Sequence, residues 1–127
     1  MNRFFWVCLG GAAGTGARYL ISGWALSVLG TSFPWGTLAV NVIGSFLIGA
    51  IMHVGLTTQV LSPMLRMALT TGVMGGFTTY STFNYETTEL LREGATSLAL
   101  ANLAVTLAVC LVTGFLGLAV GKWLTGR

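Results

Sequence analysis

The stretch Thr70-Thr71-Gly72-Val73-Met74-Gly75-Gly76-Phe77-Thr78-Thr79-Tyr80-Ser81-Thr82-Phe83-Asn84-Tyr85-Glu86 carries the information that decides how this chain folds. Paired glycines followed by paired threonines are poor material for a continuous helix, so the segment predicts a break near Gly75 to Thr79. Irregular backbone at membrane depth is tolerated only where it is buried in protein or lines a cavity. Carbonyls freed there can coordinate a cation, and freed N–H groups can bind an anion. Beyond the break, Phe77, Tyr80 and Phe83 recur every third residue, which predicts a stack along one face, with Thr79, Thr82 and Ser81 beside it. Aromatic rings carry a positive edge. A column of ring edges next to hydroxyl donors suits an anion, although the same stripe could simply pack a helix bundle.

Outward from this stretch the chain is apolar. Of its 127 residues 54% are hydrophobic and 7% charged, with six basic residues, three acidic ones and no Asp. A soluble domain carries about a quarter charged residues. A chain so poor in charge cannot cover itself with a solvated surface, and lipid becomes its solvent. A transmembrane helix takes roughly 20 apolar residues. Helices are predicted at about 4–29, 35–56, 63–93 and 95–124, a single four-helix transmembrane domain over 1–127. Gly30 and Pro34 punctuate the first loop. The apolar run that starts at Phe4 continues past Arg18, so it reads as a retained helix rather than a signal peptide. Short connections make neighbouring helices antiparallel. Arg3, Arg66, Lys122 and Arg127 then share the side of the termini and Arg92 lies opposite, a modest bias toward cytoplasmic termini.

Small and polar residues recur at four-residue spacing, which places each set on one helix face: Gly10, Gly14, Arg18 and Ser22 in the first helix, Thr37, Asn41, Ser45 and Gly49 in the second, Asn102, Thr106, Cys110 and Gly114 in the last. Such faces hold helices together in lipid. Asn41 either bonds helix to helix or lines a wet path, where its NH2 offers two donors to an anion. Arg18 must face a partner, a water-filled vestibule or the interface, and an uncompensated cation there raises the local anion concentration. The scattered basic residues give no nucleic-acid footprint. Cys8 and Cys110 read as two small buried thiols, since neither has the neighbours of a metal site or a disulfide framework. One His, no paired intramembrane acids and no nucleophile with a base leave no basis for an enzyme.

The segment Gly75-Gly76-Phe77-Thr78-Thr79-Tyr80-Ser81-Thr82-Phe83 resembles the signature of the Fluc (CrcB-type) fluoride channels, Gly-Gly-Phe-Thr-Thr-Phe-Ser-Thr-Phe. The opening Gly10-Gly11-Ala12-Ala13-Gly14 with Arg18-Tyr19, and Trp35-Gly36-Thr37-Leu38-Ala39-Val40-Asn41-Val42-Ile43-Gly44-Ser45, are similar to the same family, so that the resemblance covers essentially the whole chain. It implies a fluoride-selective passive channel in the plasma membrane. It implies an all-α, dual-topology homodimer, two copies inserted antiparallel with two pathways side by side. The pore phenylalanines match Tyr80 and Phe83, the pore asparagine Asn41, and the polar track Ser81 and Thr82, with Thr37 and Thr106 as weaker candidates. A structural sodium ion at the dimer centre would be held by backbone carbonyls of Gly75 and Thr78, oxygen donors that suit a hard cation. Arg18 matches a helix 1 arginine, and Glu86 an acidic residue near the pore mouth. One departure stands out: Tyr80 occupies a position where the family pattern has Phe. Two rivals are a small four-helix multidrug exporter and a non-transporting assembly subunit. The exporter needs a carboxylate in helix 1, where this chain has Arg18 and no acid.

Overall fold

The computed structural model of the chain describes residues 2–127. The described residues are helical apart from short connections, with no strand among them. Helix α1 spans Asn2–Leu29 and α2 Trp35–Thr57. Next come α3 (Pro63–Met67), a π-helical segment (Ala68–Met74) and α4 (Gly75–Phe77), then α5 (Ser81–Arg92) and α6 (Thr96–Thr125). By length and apolarity, α2 and α6 are each able to cross a membrane. Helix α1 is long enough, at 28 residues or roughly 42 Å, but glycines, Thr15 and Arg18 dilute its apolar character.

The turns follow local chemistry. Gly30 and Gly94 end α1 and α5 with φ of 81° in both, a backbone region that costs glycine nothing. Ser62 starts α3: its hydroxyl accepts from the Leu65 N–H at 3.2 Å, with Pro63 at the first helical position. Arg66 and Arg127 donate to the Gly55 and Thr57 carbonyls at 2.7 and 3.1 Å, capping the negative end of α2.

Packing rests on backbone approach more than on large side chains. Helix α1 crosses the π segment and α4, and a methyl built on Gly14 would overlap the Val73 carbonyl. Helix α2 lies along α6, where one on Gly117 would meet the Phe46 carbonyl. Lipid offers no hydrophobic drive between helices, so close fit and interhelical hydrogen bonds must hold them. One such bond runs from the Thr113 hydroxyl to the Val42 carbonyl at 3.2 Å. The small core gathers Val40, Met74 and Phe77, with Ala17, Ile21, Leu47 and Val73 against it. Phe4, Leu20, Trp24, Val112, Phe115 and Leu116 point outward, as a lipid-facing surface requires. Cys8 is also exposed and Cys110 half-buried, which corrects the expectation of two buried thiols: Cys8 falls on the outward face of α1.

The helix break falls at the C-terminal end of its expected range. Gly75 and Gly76 are helical, and the irregular backbone begins at Thr78, with φ −84° and ψ 157°, and runs to Tyr80. The glycines serve contact instead. A methyl on Gly76 would run into the Gly11 carbonyl of α1. The break also undoes the aromatic column. Phe77 turns into the core while Tyr80, 76% exposed, points out of the subunit, because three-residue spacing shares a face only while the helix is unbroken.

Candidate functional site

The break is shaped by Asn41. Its Nδ2 donates to the Thr79 carbonyl at 3.0 Å and its Oδ1 accepts from the Thr79 N–H at 2.9 Å. The side-chain amide therefore pairs with one backbone residue as a neighbouring strand would. The two readings of Asn41 meet in one side chain: it joins helices, and it lines a groove with one N–H left over.

That groove, of about 510 Å³, is open on the side away from the subunit's core. It brings together Asn41, Gly75, Thr78, Tyr80, Phe83 and Thr106. Tyr80 and Phe83 sit with ring centroids 5.9 Å apart at 55°. Phe83 is 8% exposed, so most of its ring is covered within the subunit. No hydrogen bond engages the Tyr80 hydroxyl among the described residues.

Three expected residues lie elsewhere. Thr37, Thr82 and Glu86 line a second hollow of about 410 Å³, bounded by the loop from Gly30 to Trp35. There the Thr37 hydroxyl donates to Glu86 Oε1. All three acids of the chain, Glu86, Glu89 and Glu93, border this hollow, and Glu89 pairs with Arg92 at 3.2 Å. Ser81 is exposed and lines neither space, and Arg18 is half-buried with no hydrogen bond or ion pair among the described residues.

Thr79 connects the two spaces. It lines the groove, and its hydroxyl donates to Thr82 Oγ1 at 3.0 Å and accepts from the Thr82 N–H at 3.2 Å. The second contact caps α5. Polar atoms thus run from Asn41 through Thr79 and Thr82 toward Thr37 and Glu86. A Thr three residues before Thr82 at a helix start was a legible signal for this cap. A buried set, Thr87, Asn102 and Thr106, lies between α5 and α6, with Asn102 1% exposed; Asn102 and Thr106 belong to the stripe expected on the last helix, and Thr87 carried no such signal.

The Gly75 and Thr78 carbonyls are the expected cation ligands. The Thr79 N–H, which a continuous helix would aim at Gly75, goes to Asn41 instead. Thr78 is extended, outside any helix. Both residues line the open groove. Two released oxygens fit part of a hard-cation shell. No cluster of three side-chain metal ligands occurs among the described residues.

The model of the CrcB-like family, described as camphor resistance (CrcB), matches residues 5–118. The chain belongs to the CrcB family. A relative from Sorangium cellulosum is 58% identical over 96% of both chains, and one from Anaeromyxobacter sp. is 52% identical over 99% of this chain and 100% of its own. One from Geobacter sulfurreducens is 47% identical over 98% and 100%. Each of the three relatives is named a fluoride-specific ion channel FluC. Membership of the CrcB family, together with α2 and α6, makes this a membrane protein.

Proposed function

We propose that the chain is a subunit of a fluoride-selective passive channel of the plasma membrane, working as an antiparallel homodimer. The observation that carries the reading is the open groove that joins the Tyr80 and Phe83 rings to the stapled break at Asn41 and Thr79. Relatives that share about half of the residues are named as fluoride channels.

A groove open along one side is half a pathway, and a second copy closes it. Two copies in opposite orientation form two such pathways. Fluoride, small and strongly hydrated, exchanges water for ring edges, the remaining Asn41 N–H and hydroxyls, through contacts weak enough to release it again. Chloride is larger and meets the narrow path less well. With the cell interior negative, the membrane potential drives the anion outward. A sodium ion at the dimer centre takes the Gly75 and Thr78 carbonyls of both copies, four oxygens in all, and contributes assembly rather than transport. The second hollow, where Thr37 holds Glu86, serves as the mouth, and Arg18 draws anions toward it.

Tyr80 keeps the ring edge that a Phe would offer and adds a hydroxyl at an exposed position. The test uses purified protein in liposomes loaded with fluoride, read by a fluoride electrode with chloride in parallel. Fluoride release without chloride release supports the channel. If the wild-type chain is silent, Tyr80→Phe decides: restored release keeps the channel and assigns the block to the hydroxyl, and continued silence refutes it.

A further inference from the structure

The buried set between α5 and α6 has a fixed direction. The Thr87 hydroxyl lies 2.7 Å from the Phe83 carbonyl, which can only accept, so its single proton is spent there. Asn102 contacts the same Thr87 oxygen at 2.9 Å, and with that proton spent Asn102 must present its NH2 to it. The amide oxygen then faces Thr106, 3.3 Å away, and an oxygen there obliges the Thr106 hydroxyl to donate. Each proton is committed in turn, from Thr106 through Asn102 and Thr87 to Phe83. At the groove wall, Thr106 is left with lone pairs alone.

We infer that Asn102, held in orientation by Thr87, is a positioning residue that makes Thr106 a hydrogen-bond acceptor on the anion path. An acceptor cannot contact a bare anion favourably. It can take a hydrogen bond from a water molecule that donates its other proton to the ion. The wall at Thr106 therefore keeps a hydration water on the passing anion, and the direct donors of the groove lie elsewhere, at Asn41 and at the hydroxyls of Ser45 and Tyr80. Thr106, a weaker candidate for the polar track, thus takes an accepting role. It does so by a residue in no contact with the groove, and the chain of protons ends on Phe83, one of the two aromatic residues of the same path.

The inference rests on the fluoride-channel reading, and the test separates the two. Fluoride and chloride efflux are measured from liposomes for wild type, Thr87→Val, Asn102→Leu and Thr106→Val, and for Thr106→Val combined with each of the other two. Thr87→Val deletes the acceptor that fixes the amide, and Asn102→Leu deletes the amide. Either change frees the Thr106 proton to donate to the anion. A hydrogen bond to a charged group is strong enough to hold the ion and slow its passage by about tenfold, with a matching change in the fluoride-to-chloride ratio. In the Thr106→Val background neither change should add anything, because no hydroxyl remains to be freed.

Thr87→Val removes one polar atom at constant shape, so it decides the matter where Asn102→Leu does not fold. Efflux like wild type from folded Thr87→Val protein overturns the inference. So does a slowing of equal size with and without the Thr106 hydroxyl, which would mark a purely structural role. A wild-type protein and a Tyr80→Phe variant that both fail to pass fluoride overturn the channel reading and this inference with it. Conducting wild type with unmoved variants overturns this inference alone.

Discussion

Replacing Asn41 with leucine deletes both hydrogen bonds that shape the break while nearly keeping side-chain size. The bonds are 3.0 and 2.9 Å long and end on the carbonyl and N–H of one residue, Thr79, which is 9% exposed. A buried backbone group stripped of its partner costs about 1–3 kcal/mol. Two such groups on one residue give roughly 2–6 kcal/mol for Asn41→Leu, a large share of a typical folding free energy of about 5–15 kcal/mol. Aspartate is a sharper probe. Protonated, it donates to the Thr79 carbonyl and accepts from the N–H, as the amide does. Ionised, it keeps the acceptor bond, loses the donor and sets an oxygen against the Thr79 carbonyl. Its charge also lies on the proposed anion path. The assay is thermal unfolding in detergent, followed by loss of the monodisperse elution peak, with hydrogen exchange at the Thr79 amide as the local readout. Asn41→Leu should unfold earlier and exchange faster at Thr79, and Asn41→Asp should be less stable at neutral than at acidic pH, relative to wild type. Wild-type stability together with wild-type protection at Thr79 in Asn41→Leu would refute the reasoning that a side chain holds the break.

Three further outcomes are expected. Phe83→Ile keeps an apolar side chain in a mostly buried place but removes a ring edge, so fluoride efflux should fall while the protein still folds; unchanged efflux would remove ring edges from the path. Gly14→Ala drives a methyl into the Val73 carbonyl and should destabilise by about 1–3 kcal/mol or more, whereas Gly16→Ala, on the same helix with nothing nearby, should be neutral or stabilising by up to about 1 kcal/mol; equal unfolding temperatures for the two would contradict the packing account. Tyr80→Phe removes a hydroxyl without a partner, and thermal unfolding should shift little while efflux stays equal or rises.

The all-helical, apolar character was legible because it needs only composition and the lengths of apolar runs. The presence of an interruption in the third segment was legible from Gly75, Gly76 and the threonines, and its position only approximately, since the glycines themselves stay helical. Glycine weakens a helix and also permits close approach, and sequence alone does not tell these apart. At Gly76 the Gly11 carbonyl of another helix decides between them. The same limit applies to Phe77, whose place in the core follows from backbone torsions at Thr78. The π-helical turns of Ala68–Met74 left no mark in residue type. Within the candidate site, Asn41 stood out as an amide in an apolar run, and Asn102 and Thr106 as members of one stripe. Thr87 did not, since its hydroxyl matters only through Asn102, 15 positions away along the chain.

The stapled break also bears on the order of assembly. Residues 78–80 take their shape from a side chain that belongs to α2, not from bonds within their own segment. During synthesis α2 leaves the ribosome before the third segment does, and chains generally build from the N-terminal end. The mould is thus in the membrane before the backbone that must be cast in it arrives. A circularly permuted chain that delivers the third segment ahead of α2 would ask residues 78–80 to wait unpaired in the bilayer, and a regular helix through Tyr80 would be the trap into which they fall.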